Sequence, residues 1–293
     1  MRGPGGPRAS WWAGVGALAL VALVIGLVVP KMGGPAAPMA KASVAAVPPS
    51  GVMLPSSGRS VPTLVQRVPV YYAGRSNGLL YREFRNLAPT GNIAETALTA
   101  MLNVAPLDPD FTSWWAPVSG VRVDQVDNTV IVSLPASAFA RAENPTQGRV
   151  AIEQLVYTVT AAIGDSEDKL SVQVLMDGQS SLPANFPAAT SWKRDGLRPL
   201  APLWITSPTN GASVAGGTTE IAIQTKGDAG PVTVTVTSTT TNERIGSWSA
   251  SSLGASGGWH LWQLEVGLIP DTYDLRATGP DGATENVSLK VSG

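Results

Sequence analysis

The residues from Trp11 to Val29 run without a single charge. A helix of that length rises about 1.5 Å per residue and spans roughly 28 Å, which matches the hydrocarbon core of a bilayer. Arg2 and Arg8 precede the run, Trp11 and Trp12 stand where an interfacial aromatic belt belongs, and Lys31 marks its far end. This bias puts the N-terminus inside the cell and residues 32–293 outside. An A-x-A cleavage triplet, Ala40-Lys41-Ala42, lies well beyond the apolar run. The run is also longer than the roughly 7–15 residues of a signal-peptide core, so a retained anchor is expected. Residues 1–10 are then a cytoplasmic end and residues 11–30 a single-pass span.

Residues 31–63 are rich in Pro, Ala, Gly and Ser, as in Gly33-Gly34-Pro35-Ala36-Ala37-Pro38 and Pro55-Ser56-Ser57-Gly58. Such a stretch lacks the apolar surface that would offset ordering entropy, and reads as a disordered linker. If largely extended, about 30 residues at ~3.1 Å each reach on the order of 90 Å.

The remainder of the chain changes texture once. Residues 64–182 read as an α+β domain. Val68–Ala73 and Leu79–Arg85 form a strand pair across the turn Gly74–Gly78. Asn92 caps a helix with Glu95 completing a capping box, and Ile93, Ala97, Leu98, Met101 and Leu102 share its apolar face. Val121–Val126 and Thr129–Leu134 are strands joined at Asp127-Asn128. A long helix follows, with Ile152, Leu155, Val156, Val159 and Ile163 at helical spacing and Gly164 at its end. Ser171–Met176 alternates as a last strand. The order ββαββαβ predicts one mixed sheet with two helices on one face. Residues 183–202, punctuated by Pro183, Pro187, Pro199 and Pro202, read as an interdomain linker. Residues 203–293 show no helical period. Seven candidate strands, among them the Val/Thr alternation of Val232–Thr237, predict an all-β sandwich of immunoglobulin type.

Composition narrows the chemistry. The chain of 293 residues has no cysteine and one histidine, His260, with a net charge of -1. Thiolate nucleophiles, Cys-based zinc sites and multi-His metal sites are excluded, and there is no basic field for nucleic acid. Glu83, Glu95, Glu153 and Asp177 are the carboxylates that would serve a glycosidase. Glu95 is accounted for by capping, Glu83 and Glu153 by polar strand and helix faces, and Asp177 by a turn. His260 shares a strand face with Trp262 and reads as a surface residue. Phe111, Trp114 and Trp115, in a loop between Pro109 and Pro117, are the candidate partner-binding residues; the competing reading has them plugging the core.

Several stretches, in order and spacing, resemble the GerMN domain of bacterial sporulation and germination proteins. They are Val68-Pro69-Val70-Tyr71-Tyr72, Leu98–Leu102 followed by Pro106-Leu107-Asp108-Pro109, Val130–Leu134 leading to Phe139, Gln154–Thr160, and Val172–Gly178. Residues 203–293 look like the immunoglobulin-like domain that follows GerMN in spore germination proteins, through Ile205–Val214, Trp262, Leu264 and Pro270–Leu275. The resemblance implies a non-enzymatic extracytoplasmic module acting through protein contacts. Many members of that family are lipoproteins, whereas this chain has no cysteine to acylate. The expectation is a membrane-anchored scaffold or adaptor of the cell envelope, with no cofactor and with other envelope or membrane proteins as partners. Cell-wall glycan (peptidoglycan), bound by the loop aromatics, is the alternative.

Overall fold

The computed structural model describes residues 64–164, 169–227 and 230–293. The anticipated membrane span and the 31–63 linker lie outside the described residues. Among the described residues no helix is long and apolar enough to cross a membrane.

In the first domain, β1 (Val65–Gly74) and β2 (Leu80–Leu87) form the expected antiparallel hairpin, with Tyr72 opposite Tyr81. Its turn needs Gly78, whose φ is 66°, a region L side chains avoid. Helix α1 (Ile93–Asn103) starts at Asn92, whose Oδ1 accepts from the Glu95 N–H at 2.9 Å. β3 (Phe111–Thr112) adds to β1 at Ala73 and Gly74. β4 (Arg122–Val126) and β5 (Thr129–Leu134) turn at Asp127, and a 3-10 helix spans Ala136–Ala140. Helix α2 (Pro145–Ile163) is capped by Asn144 and ends at Gly164, and β6 (Ser171–Met176) runs parallel to β5.

The strands make two three-stranded sheets, β2-β1-β3 and β4-β5-β6, and the anticipated single mixed sheet does not form. The reason lies at the edges. The Tyr71 N–H donates to Thr158 Oγ1 (3.1 Å) and the Tyr71 carbonyl accepts from Gln154 Nε2 (3.0 Å), both on α2. The Val123 N–H donates to Glu95 Oε2 (3.3 Å) and its carbonyl accepts from Asn92 Nδ2 (2.6 Å), both at the start of α1. Helix side chains thus take the backbone groups through which the sheets would otherwise extend. Glu95 does not close a capping box, because its carboxylate serves β4 instead. The apolar face of α1 is Ala94, Ala97, Leu98, Met101 and Leu102, while Ile93 is exposed.

Residues 183–202 are not a linker. Trp192 exchanges two backbone hydrogen bonds with Val172 of β6, at 2.7 and 2.8 Å. Leu80 of β2 donates to the Pro199 carbonyl and accepts from the Ala201 N–H. Phe186, Leu200 and Ala201 are buried in the first core. The segment lies so close to α2 that a Cβ on Gly148 would sit 1.8 Å from the Asn185 carbonyl oxygen. Its prolines fix an extended path, and apolar residues spaced along it hold that path to the domain. The domain therefore ends near residue 202.

The second domain is a sandwich of nine strands: β7 (Leu203–Ser207), β8 (Ala212–Ala215), β9 (Gly217–Lys226), β10 (Thr233–Ser238), β11 (Arg244–Ser249), β12 (Ser251–Ser256), β13 (Trp259–Leu268), β14 (Asp271–Thr278) and β15 (Thr284–Ser292). One sheet has the order β11-β10-β14-β15-β8 and the other β12-β13-β9-β7. As the alternation of β10 requires, Val232, Val234 and Val236 are fully buried. The two strands beyond the seven expected, β8 and β12, contain no buried residue. Trp204 of β7 is buried in the first core and Trp259 of β13 packs beside it, ring centroids 4.5 Å apart, so two aromatics of the second domain form a seam against the first.

Candidate functional site

The loop after α1 carries the three aromatics expected to bind a partner. Helix α1 stops at Asn103, and the Tyr72 hydroxyl donates to the Val104 carbonyl just past its end. Two of the three aromatics then turn inward. Phe111 stacks on Tyr81 at 4.3 Å. Trp115 is fully buried against Phe139 and Phe186, and its Nε1–H donates to the Ala151 carbonyl at 2.8 Å. Trp114 stays partly exposed, with its N–H on Gln154 Oε1 at 3.4 Å. An apolar neighbourhood with one carbonyl partner for the indole is what a core tryptophan requires. Phe111 and Trp115 are therefore unavailable to a partner; Trp114 alone keeps surface there.

The carboxylates weighed for catalysis are each engaged. Glu83 is buried, not on a polar face. It pairs with Arg85 at 2.6 Å and accepts from the N–H groups of Leu107 (2.8 Å) and Asp108 (3.3 Å). Burial pushes its carboxyl above the usual range, against the pull of Arg85 and the two amides. Glu153 pairs with Arg149 at 2.6 Å, and Asp177 Oδ1 accepts from the Ala136 N–H at 3.2 Å. Among the described residues no three His, Asp or Glu side chains converge as a metal site. His260 stacks on Trp262 at 4.5 Å, as the strand period requires, and its Nε2 lies 2.6 Å from Ser252 Oγ.

Polar groups concentrate at the seam between the domains. Arg82 of β2 lies over the rings of Phe84 and Trp204 and donates from Nη2 to Gln224 Oε1 of β9 at 3.0 Å. Asn210 bridges the Leu107 carbonyl and the Ser288 N–H. Glu285 is buried, and one carboxylate oxygen accepts from the Ile205 N–H. Burial raises its carboxyl well above the ordinary range, and Asp108 across the seam shifts the same way from burial. The crevice between these side chains holds about 30 Å³, room for about one water. It positions two domains and has no room for a substrate.

Sequence reasoning set Glu83 on a polar face and did not single out Glu285, although both are buried and the signal was present. In β15, Glu285 falls in phase with Val287, Leu289 and Val291, all buried. In β2, Glu83 is in phase with buried Tyr81.

No curated protein matches the chain. Among solved structures, an engineered protein aligns at 18% identity over 41% of this chain and 25% of its own, with a TM-score of 0.28. CopC from Methylosinus trichosporium OB3b aligns at 16% identity over 31% of this chain and 93% of its own, with a TM-score of 0.25. A modular endo-beta-1,4-mannanase from Cellulomonas fimi aligns at 21% identity over 41% of this chain and 23% of its own, with a TM-score of 0.23. The chain thus spans about a quarter of the engineered protein and of the mannanase. The family model for Germane, described as sporulation and spore germination, matches residues 69–182, the stretch that carries both helices and both three-stranded sheets. Residues 69–182 therefore belong to the Germane family of sporulation and spore germination.

Proposed function

We propose that this protein is a non-enzymatic adaptor of the cell envelope, anchored by residues 11–30 and exposing its two domains on the extracytoplasmic side. The observation that carries the reading is the Germane match at residues 69–182, downstream of the uncharged run Trp11–Val29. The carboxylates that would serve hydrolysis are occupied in structural bonds, which supports a binding role over a catalytic one. The seam supports it too: Arg82, Asn210 and the Trp204–Trp259 pair let the domains present one continuous surface.

The test is fractionation of full-length protein with carbonate washing, together with protease treatment of intact cells stripped of wall. Retention in the washed membrane, with residues 64–293 cleaved from outside, is the expected result. Release by carbonate, or protection from external protease, would overturn the anchored extracytoplasmic placement. Crosslinking then reads the partner: envelope proteins captured specifically sustain the adaptor reading, and wall glycan captured alone overturns it.

A further inference from the structure

The aromatic loop that turns its rings inward leaves a different surface outside. A pocket of about 270 Å³ lies between the end of α1 and β3, with Arg75 and Arg141 in its wall. Both arginines are held in place. Arg75 donates from Nε to the Pro109 carbonyl at 2.9 Å, and Arg141 from Nη2 to Thr112 Oγ1 at 3.2 Å. Arg85, Arg149 and Arg198 each pair with a carboxylate, but neither Arg75 nor Arg141 does so among the described residues. Two guanidinium forks thus border one pocket with most of their N–H donors unspent. The pocket wall also includes Thr112 and Ser113, whose residues are 2% and 6% exposed. The Thr112 hydroxyl accepts from Arg141 and donates to the Ser113 carbonyl at 3.4 Å, while Ser113 Oγ accepts from the Trp115 N–H at 3.3 Å and keeps its own proton to donate.

The opposite wall is the carbonyl end of α1. The Ala100 carbonyl accepts from the Val104 N–H, while no hydrogen bond from the described residues reaches the carbonyls of Met101 or Leu102. That end carries partial negative charge, which disfavours a doubly charged anion. A monoanion matched in shape to a guanidinium fork fits better, and a carboxylate is such a group. The open helix carbonyls suit the N–H groups that flank a carboxylate in a peptide.

The geometry points to a carboxylate-binding pocket, formed by Arg75, Arg141, Thr112 and Ser113, for an acidic peptide segment of a partner protein. The inference deepens the adaptor reading and rests on it for the partner being a protein. The test titrates full-length protein in detergent micelles, at fixed ionic strength, with N-acetyl-glutamate N-methylamide or with inorganic phosphate. The side-chain Nε–H resonances of the arginines are followed by NMR. Saturable shifts at Arg75 and Arg141 with the glutamate probe, at lower concentration than with phosphate, are expected. The Arg75→Gln/Arg141→Gln protein should bind at least tenfold more weakly, and Arg122→Gln on exposed β4 should bind as wild type. Arg141→Lys, which keeps the charge but not the fork, should also weaken binding and serves if the double variant does not fold. Tighter binding of phosphate, shifts shared equally with Arg122, or no saturation would overturn the proposal. The titration needs no membrane placement, so its failure is distinct from a failure of fractionation.

Discussion

The two domains treat the open edges of their sheets differently. In the Germane domain, β1 meets α2 at Tyr71, where Gln154 and Thr158 take both backbone groups, and β4 meets α1 at Val123, where Asn92 and Glu95 do the same. In the sandwich, β12 is exposed along all six residues and no helix covers it. Its pairing is irregular at the bulge between Ser252 and Gly254, with Gly254 at φ 105°. A bulge is an ordinary protection of an edge strand. The contrast shows what the buried polar residues of the first domain are for. Gln154, Thr158 and Thr160 are fully buried on α2, yet they form no catalytic cluster. Gln154 and Thr158 fasten a helix to a strand edge, and Thr160 bonds back to the Val156 carbonyl at 2.6 Å.

If the first domain depends on inward anchors and the sandwich edge does not, substitutions should separate the two. The largest effect is expected from Trp115→Ala. It removes a fully buried ring and its bond to Ala151, and should cost about 3–5 kcal/mol in denaturant unfolding. A loss below about 1 kcal/mol would mean that the loop is not the plug of this core. Next comes Thr158→Val, which preserves shape but leaves the Tyr71 N–H without its partner, at about 1–3 kcal/mol. Amide exchange at Tyr71 should accelerate in this variant. Unchanged exchange would show that α2 does not seal β1.

Much of this architecture is legible in the chain's local patterns, and the features that are not legible share a cause. The strand and helix bounds around Ser171–Met176, the Asp127 turn and the Gly164 end each depend on a few neighbours in sequence. The two-sheet arrangement depends instead on Gln154 reaching a carbonyl 83 residues away, which no local pattern announces. Residues 183–202 mislead for the same reason: their composition suggests a linker, while Phe186 and Trp192 gain their meaning only against α2 and β6. At the candidate site, the prolines and aromatics locate the loop but not the direction in which its rings point. Polar Thr112 and Ser113, between the aromatics, follow no period that would mark them as the wall of an outer pocket.

Across the seam, the difference between buried and exposed polar groups becomes a dependence on pH. Glu285 is nearly enclosed, and its carboxyl in the fold lies well above its ordinary 4.5. A raised acid binds its proton more tightly folded than unfolded. Its contribution is therefore fully present below pH 4.5 and is lost as pH rises through the folded value. Glu285→Gln keeps an oxygen for the Ile205 N–H and removes the charge. The variant should gain stability relative to wild type as pH rises from about 5 to 8, read as a widening gap in denaturation midpoints. Parallel midpoints over that range would mean that the seam accommodates the charged carboxylate without cost.

The smallest effect is expected at the edge that no helix covers. Leu253 on β12 is 60% exposed. Leu253→Lys should change stability by no more than about 0.5 kcal/mol, since it disturbs neither the core nor a backbone partner. A lysine on an edge strand also opposes pairing with another chain, so the variant should be at least as soluble as wild type. A loss of about 2 kcal/mol or more would show that β12 carries packing comparable to the sealed edges of the first domain. The difference between the two domains would then lie in which residues protect an edge, not in whether the edge is protected.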